Sequence, residues 1–126
     1  MEIKLYYEDT DCGGVVYYAN YLRYMERGRT EYLAGKGVSI KELMDRGTIF
    51  VVSRAEIDYK SAARYGETIV LETVISEKTG ATLLFEHRMT DKATGRLLVE
   101  GKIRMVCTDL FARPKRIPKD MAERVP

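Results

Sequence analysis

The sequence has 126 residues, which suits one domain and is short for two. Hydrophobic residues make up 45% and charged residues 32%, a globular composition with a well-charged surface. The formal net charge of +2 is too near balance to indicate nucleic-acid binding, and no run of about 18 apolar residues could span a membrane.

The start of the chain lacks the basic and apolar regions of a signal peptide, so we expect a cytoplasmic protein. The two cysteines, Cys12 and Cys107, have no CxxC spacing, and His87 is the only histidine. These three side chains are one ligand short of a zinc site, so we predict no metal. Reduced thiols are a simpler interpretation than a disulfide in that compartment.

The first elements are a strand, a loop and a helix. Residues 2–7 alternate as a short strand, and the loop that follows is rich in acids, glycines and tyrosines. Residues 21–36 have helical spacing, with one side formed by Leu22, Met25, Gly28, Tyr32 and Leu33. Gly28 should cost about 1 kcal/mol against alanine in mid-helix, so we predict that the helix closely approaches a sheet there.

The second half of the chain reads as strands. Ser39 and Glu42 have the spacing of a capping box and open a short helix that ends near Arg46. Four segments then alternate with a period of two: 49–59, 67–77, 82–91 and 96–108. Short glycine turns join the last three, which predicts antiparallel hairpins. Residues 110–126 contain three prolines, and we expect a surface tail.

Strands of about ten residues can form a sheet that curls around one helix and buries it. One helix covers only one face of such a sheet, however. Apolar residues on both sides of the strands, such as those at 69–71, would then remain uncovered. We therefore expect self-association as a dimer or a higher oligomer.

The segment "DTDCGGVVYYANYLRYMERGRTEYL", residues 9–33, carries a family resemblance. It resembles the hotdog-fold thioesterases of the 4-hydroxybenzoyl-CoA type, and most of all the bacterial YbgC-type acyl-CoA thioesterases. The matching positions are Asp9, Asp11, Gly14, Val16, Tyr18, Asn20 and Tyr21. "YKSAARYGETIVLET", "GKIRMVCTD" and "RPKRIP" resemble later passages, so the likeness spans almost the whole chain. Two departures are Tyr18, where many YbgC-type members have histidine, and Cys12, where a small residue or proline is usual.

The resemblance implies an α+β hotdog fold over residues 1–126: a long central helix wrapped by a curved five-stranded antiparallel sheet. It also implies an active site between the subunits of a dimer or tetramer, whose sheets join edge to edge. The implied activity is hydrolysis of an acyl-CoA with no cofactor, with Asp11 as the catalytic carboxylate and the backbone N–H of Tyr18 facing the thioester oxygen. Further substrate contacts are expected from Gly14, Val16, Tyr17 and Asn20.

The residues support this chemistry without deciding every detail. A carboxylate at Asp11 can act as general base or as nucleophile, and a helix start presents free N–H groups to an oxyanion. Glycines 13 and 14 would let the loop pass close to substrate. An acid before a glycine pair is also ordinary turn chemistry, which we favour for Glu8 and Asp9.

Coenzyme A phosphates would need cations. The candidates are Lys60, Arg64, Lys78, Arg113, Lys115 and Arg116. Two rival hypotheses remain. A thiol mechanism would use Cys12 with His87 as its base. A hotdog domain can also bind acyl-CoA without catalysis, as a ligand sensor.

Overall fold

The computed structural model describes residues 1–126. The strands are β1 (Glu2–Lys4), β2 (Ile49–Tyr59), β3 (Thr68–Lys78), β4 (Thr82–Asp91) and β5 (Leu97–Thr108). The α-helices are α1 (Asn20–Gly35), α2 (Ile40–Asp45) and α3 (Lys119–Ala122). The four long strands confirm the sequence prediction to within one residue at each end. β1 is shorter than predicted because a 3₁₀ turn takes over at Tyr7–Asp9.

The five strands form one antiparallel sheet in the order β1-β3-β4-β5-β2. β3, β4 and β5 are hairpin neighbours, as the short turns predict. β2 pairs with β5 along its whole length, from Ile49 opposite Thr108 to Tyr59 opposite Val99. β2 is therefore an edge strand of 11 residues, and its outer backbone groups have no partner strand.

Helix α1 packs on one face of the sheet, and Gly28 sits at its point of contact with β3. A Cβ built on Gly28 would lie 2.7 Å from Leu71 Cδ2 and 2.7 Å from Thr73 Oγ1. The predicted close approach is therefore confirmed. The buried side of α1 differs slightly from the expected one: Tyr21, Tyr24 and Arg29 are buried, whereas Leu22 is 43% exposed.

Two clusters of buried side chains lie between the helices and the sheet. One is near the start of α1 and includes Tyr24, Met25 and Met89; the other is near its end and includes Leu33, Phe85 and Cys107. Of the apolar residues at 69–71, Ile69 and Leu71 point into the first cluster, whereas Val70 lies on the other side of the strand and is only half-buried. Cys107 is fully buried, and burial raises the pKa of its thiol.

The expectation of a surface tail over 110–126 is wrong for its second half. Ile117, Met121 and Val125 are buried in the second cluster, and residues 119–122 form α3. The prolines indicate an irregular backbone for this segment, but its apolar residues, spaced four apart, pack into the core and hold the segment in place. Arg124 also donates to the carbonyl of Gly37 at 2.5 Å, which ties the tail to the end of α1. None of the helices is long and apolar enough to cross a membrane.

Candidate active site

The loop between β1 and α1 is folded back on itself as a narrow hairpin. Thr10 and Val16 form an antiparallel bridge. On either side of it, the amide of Asp11 donates to the carbonyl of Val15 at 2.9 Å and that of Tyr17 donates to Asp9 at 3.1 Å. These bonds fix the backbone on both sides of Asp11, so its carboxylate projects from a defined turn.

The hairpin is also fixed to the connection between β2 and β3. The amide of Val16 donates to the carbonyl of Ala63 at 2.8 Å, and that of Tyr65 donates to Gly14 at 3.1 Å. Val15 forms a bridge with Arg64. The loop is therefore held from outside as well as from within, as expected for a part of the chain that must present groups accurately.

Asp11 is exposed, and only one of its carboxylate oxygens is used by the chain. Its Oδ1 accepts a hydrogen bond from the amide of Gly13 at 2.8 Å. A Cβ on Gly13 would lie 3.3 Å from this Oδ1, and Gly14 has φ +76°, a conformation that L side chains rarely adopt. The paired glycines thus have a local purpose: they let the chain turn while leaving Oδ2 free of the protein's own donors.

Asp9 has a different environment, although the sequence presents it as similar. Its Oδ2 accepts from the amide of Tyr6 at 2.8 Å, and its Oδ1 accepts from the hydroxyl of Tyr24 at 2.7 Å. Tyr24 is buried, and burial together with this bond raises the pKa of its phenol. The side-chain amide of Asn20 donates to the carbonyl of Asp9 at 2.8 Å. Asp9 and Asn20 therefore hold the hairpin against α1.

Helix α1 starts directly after the hairpin and is not capped by a side chain. The N-cap residue is Ala19, whose side chain has no acceptor atom. The backbone N–H groups of Tyr18 and Ala19 donate to no acceptor within the chain. Two amides and the positive end of a helix of 16 residues are thus left available beside the hairpin that carries Asp11.

Tyrosines surround this helix start. The ring centres of Tyr17 and Tyr18 are 4.9 Å apart, and those of Tyr18 and Tyr59 are 6.3 Å apart. The hydroxyl of Tyr59 also donates to the carbonyl of Tyr18 at 3.4 Å. Tyr17 and Tyr18 are exposed and can contact a ligand. Val16, in contrast, is 4% exposed and belongs to the core, so its side chain supports the loop rather than facing solvent.

The candidate cations for the CoA phosphates lie in different parts of the structure. Lys60 and Arg64 are exposed, lie on the connection beside the hairpin, and make no side-chain hydrogen bond or ion pair within the chain. Lys78 lies at the other end of β3, and its ammonium donates to the carbonyls of Ala122 and Val125 at 2.8 Å each. Within one chain, Lys78 therefore fastens the tail and does not reach the hairpin.

The cations of the tail also have partners or lie away from the hairpin. Arg113 pairs with Asp109 at 2.8 Å, and Lys115 donates to the hydroxyl of Thr48 at 2.8 Å. The guanidinium of Arg116 lies near Gly80, at the same end of the sheet as Lys78.

The geometry is incompatible with a thiol mechanism. Cys12 is exposed on the hairpin, whereas His87 is 3% exposed and lies in the middle of β4 beneath α1. The Nε2 of His87 lies 3.3 Å from Arg29 Nη1, and its Nδ1 lies 3.0 Å from Thr73 Oγ1. A guanidinium can only donate, so Nε2 accepts and the Nδ1–H donates to Thr73. Burial and the charge of Arg29 lower the pKa of His87 to about 3, which makes it a poor base.

This buried group of Arg29, His87 and Thr73 was not predicted from the sequence. Arg29 is 9% exposed, and burial lowers the pKa of its guanidinium. The spacing of the helix does indicate the burial of Arg29, because this residue lies four residues after Met25 and four before Leu33 and therefore shares their side of the helix. No group of three or more His, Cys, Asp or Glu side chains is arranged to hold a metal ion.

Comparisons with known proteins identify the family of this chain and the fold that it shares with solved structures. A family model described as the thioesterase-like superfamily matches residues 7–125. An acyl-CoA thioesterase, YbgC, from Haemophilus influenzae is 40% identical over 121 residues, which cover 94% of this chain and 88% of the relative. An acyl-CoA thioester hydrolase, YbgC, from Escherichia coli is 38% identical over 120 residues, which cover 94% of this chain and 89% of the relative. Among solved structures, a 1,4-dihydroxy-2-naphthoyl-CoA thioesterase from Synechocystis superposes with a TM-score of 0.91 at 20% identity, covering 99% of this chain and 93% of that one.

Proposed function

This chain belongs to the thioesterase-like superfamily, and we propose that it hydrolyses an acyl-CoA to a free acid and CoA at the hairpin that carries Asp11. One observation carries the assignment of the site. The Asp11 carboxylate has one oxygen held in the turn and one free, and its hairpin leads into a helix start where the amides of Tyr18 and Ala19 have no acceptor. Thioester hydrolysis needs a group that activates or performs the attack and donors for the developing oxyanion.

In the proposed reaction, the substrate carbonyl oxygen accepts a hydrogen bond from the backbone N–H of Tyr18. As general base, Asp11 takes a proton from water while the water oxygen bonds to the carbonyl carbon, and negative charge moves onto the carbonyl oxygen. The positive end of α1 stabilises that charge. The C–S bond then breaks, and the CoA sulfur leaves with the proton that Asp11 carries.

A nucleophilic role for Asp11 has the same products. Its carboxylate would bond to the carbonyl carbon, expel CoA thiolate and form a mixed anhydride, which water then hydrolyses. Label found in Asp11 after a single turnover in ¹⁸O-water would establish the nucleophilic role. Attack by water on the anhydride at the Asp11 side places ¹⁸O in Asp11, whereas the general-base route places it only in the released acid.

Lys60 and Arg64 support binding of the CoA phosphates. Both side chains are free of internal ion pairs, and both lie on the connection that holds the hairpin. Loss of either cation should raise KM more than it lowers kcat, because the phosphates are remote from the bond that breaks.

We also propose that the protein forms a two-fold dimer through the free edge of β2. An unpaired edge of 11 residues is a ready site for strand addition. Exposed apolar side chains lie along it and on the adjacent side of α1: Val52 is 52% exposed, Tyr59 49% and Leu22 43%. Pairing of two β2 strands would cover these groups and extend the sheet across both subunits.

The decisive test of the site is Asp11→Asn. Asparagine keeps the oxygen that accepts from Gly13, so the turn should survive, but it cannot take a proton or attack as an anion. We expect kcat to fall by about 10²–10⁴, with little change in binding of a non-hydrolysable acyl-CoA measured by calorimetry.

Glu8→Gln is the matched control, because Glu8 is an exposed acid of the same loop with no hydrogen bond from its side chain. It should hydrolyse at nearly the wild-type rate. Asp9→Asn would not serve, since both oxygens of Asp9 accept structural hydrogen bonds. A fully active Asp11→Asn variant would overturn the assignment. Folded wild-type protein that binds acyl-CoA but hydrolyses none of a broad panel would instead indicate a ligand sensor.

A further inference from the structure

A cavity of about 230 Å³ lies between α1, α2 and the sheet, at the end of the molecule opposite the hairpin. Most of its lining is apolar and includes Leu33, Met44, Phe50, Phe85 and Met105. At about 30 Å³ for each water-sized group, it has room for roughly seven or eight non-hydrogen atoms. This is enough for an acyl group and far too little for CoA.

Arg29 is the buried charged residue of this wall, which also includes the exposed Glu26 and the threonines Thr30 and Thr48 among its mostly apolar residues. Its side chain is nine-tenths buried, and none of the eight ion pairs of the chain includes it. Its single hydrogen bond goes to the neutral imidazole of His87 at 3.3 Å. A guanidinium has five N–H donors, and a buried charge with so few partners is costly unless another acceptor completes it.

The proposed dimer would connect this cavity with the catalytic hairpin of the other subunit. If two antiparallel β2 strands overlap fully, the Tyr59 end of one strand lies beside the Ile49 end of the other. Ile49 lines the cavity, and Tyr59 contacts Tyr18 at the helix start. The thioester bound at one subunit would then direct its acyl group into the cavity of its partner.

We infer that this cavity holds the acyl group and that Arg29 selects acyl groups carrying an oxygen acceptor at their far end. The inference rests on the proposed function and on the two-fold dimer. His87 acts as a positioning residue, since its Nε2 accepts from Arg29 and keeps the guanidinium at the wall. Thr73 fixes the orientation of that imidazole through Nδ1.

A matched pair of substrates tests this selectivity. 7-Hydroxyheptanoyl-CoA and octanoyl-CoA have acyl groups of equal length that differ only by a terminal hydroxyl in place of a methyl. The wild-type dimer should favour the hydroxylated substrate in kcat/KM by about 10- to 100-fold, the range for a hydrogen bond to a charged group. Arg29→Met should remove or reverse the preference, and Arg29→Lys should retain part of it.

A second variant keeps the proposal testable if Arg29→Met fails to fold. Thr30 is half-buried, lines the cavity and makes no side-chain hydrogen bond, so Thr30→Phe would fill the cavity from α1. We expect it to lower kcat/KM for octanoyl-CoA at least tenfold more than for acetyl-CoA, which is too short to need the cavity.

Three outcomes would overturn the inference. They are a wild-type substrate ratio near one, a ratio that Arg29→Met leaves unchanged, and equal losses for long and short acyl groups in Thr30→Phe. The proposed function fails separately, if wild-type protein hydrolyses no acyl-CoA at all or if Asp11→Asn is fully active.

Discussion

Replacing Gly28 with alanine should destabilise the protein, although alanine is the better helix former. The new Cβ would lie 2.7 Å from both Leu71 Cδ2 and Thr73 Oγ1, well inside the 3.5–4.0 Å or so of a normal contact. Leu71 is buried and Thr73 is bonded to His87, so neither can move aside freely. Overpacking of this kind costs about 1–3 kcal/mol, and two contacts at once favour the upper half of that range.

The gain in helix propensity offsets about 1 kcal/mol, which leaves an expected net loss of about 1–2 kcal/mol. For a domain of this size, that loss corresponds to a decrease in Tm of roughly 4–8 °C. Urea unfolding followed by circular dichroism measures the loss directly, and differential scanning calorimetry gives Tm.

Gly35→Ala is the matched control on the same helix. A Cβ on Gly35 would meet no atom within 4 Å, so this variant should be neutral or up to about 1 kcal/mol more stable. If Gly28→Ala is as stable as Gly35→Ala, the close packing of α1 on β3 is not what requires glycine at position 28.

Three further predictions concern the site, the buried histidine and the assembly. Cys12→Ala should lower kcat by less than about tenfold, which corresponds to a rise of ~1.4 kcal/mol in barrier height, because Cys12 has no base beside it. A thousandfold loss in a folded variant would restore the thiol mechanism. His87 remains neutral in the folded protein down to about pH 3, whereas the unfolded chain takes up its proton near pH 6.5. Unfolding is therefore favoured as pH falls. Lowering the pH from 7 to 5 should reduce the free energy of unfolding of the wild type by about 2 kcal/mol more than that of His87→Gln, as measured by urea unfolding. Equal reductions in the two proteins would contradict the buried neutral imidazole. Analytical ultracentrifugation at micromolar concentration should show a dimer or a tetramer of the wild type. Val52→Lys, on the β2 edge, should shift the protein toward monomer. A monomeric wild type would refute the proposed assembly.

Much of the fold could be predicted because local patterns and tertiary structure agree. The period-two segments became β2 to β5, and the two short glycine turns between β3, β4 and β5 became hairpins. The family resemblance added the hotdog arrangement, and the comparisons confirm the family. In the tail, proline signals pointed to a loose path, whereas the burial of Ile117 and Met121 depends on a groove formed by residues far away in sequence.

The candidate site was less accessible to prediction because it depends on contacts between distant residues. In the sequence the family resemblance separates Asp11 from Asp9, and the bonds from Tyr6 and Tyr24 supply the physical reason that Asp9 is structural. The sequence makes Lys78 a candidate for binding the CoA phosphates, but its ammonium donates to two backbone carbonyls of the tail. Residue type alone does not predict the burial of Arg29, because a charged residue is normally expected on the solvent side of a helix.

The absence of a side-chain cap at Ala19 has a consequence for engineering. A serine or aspartate at an N-cap typically stabilises a protein by about 0.5–2 kcal/mol, so position 19 is an obvious choice for raising thermal tolerance. A new side-chain oxygen there would accept from the N2 or N3 amide and weaken the positive potential beside the Tyr18 N–H, where the substrate oxygen is proposed to bind. Resistance to heat and turnover would then change in opposite directions, and attempts to make the protein more robust should begin elsewhere, for example at Gly35.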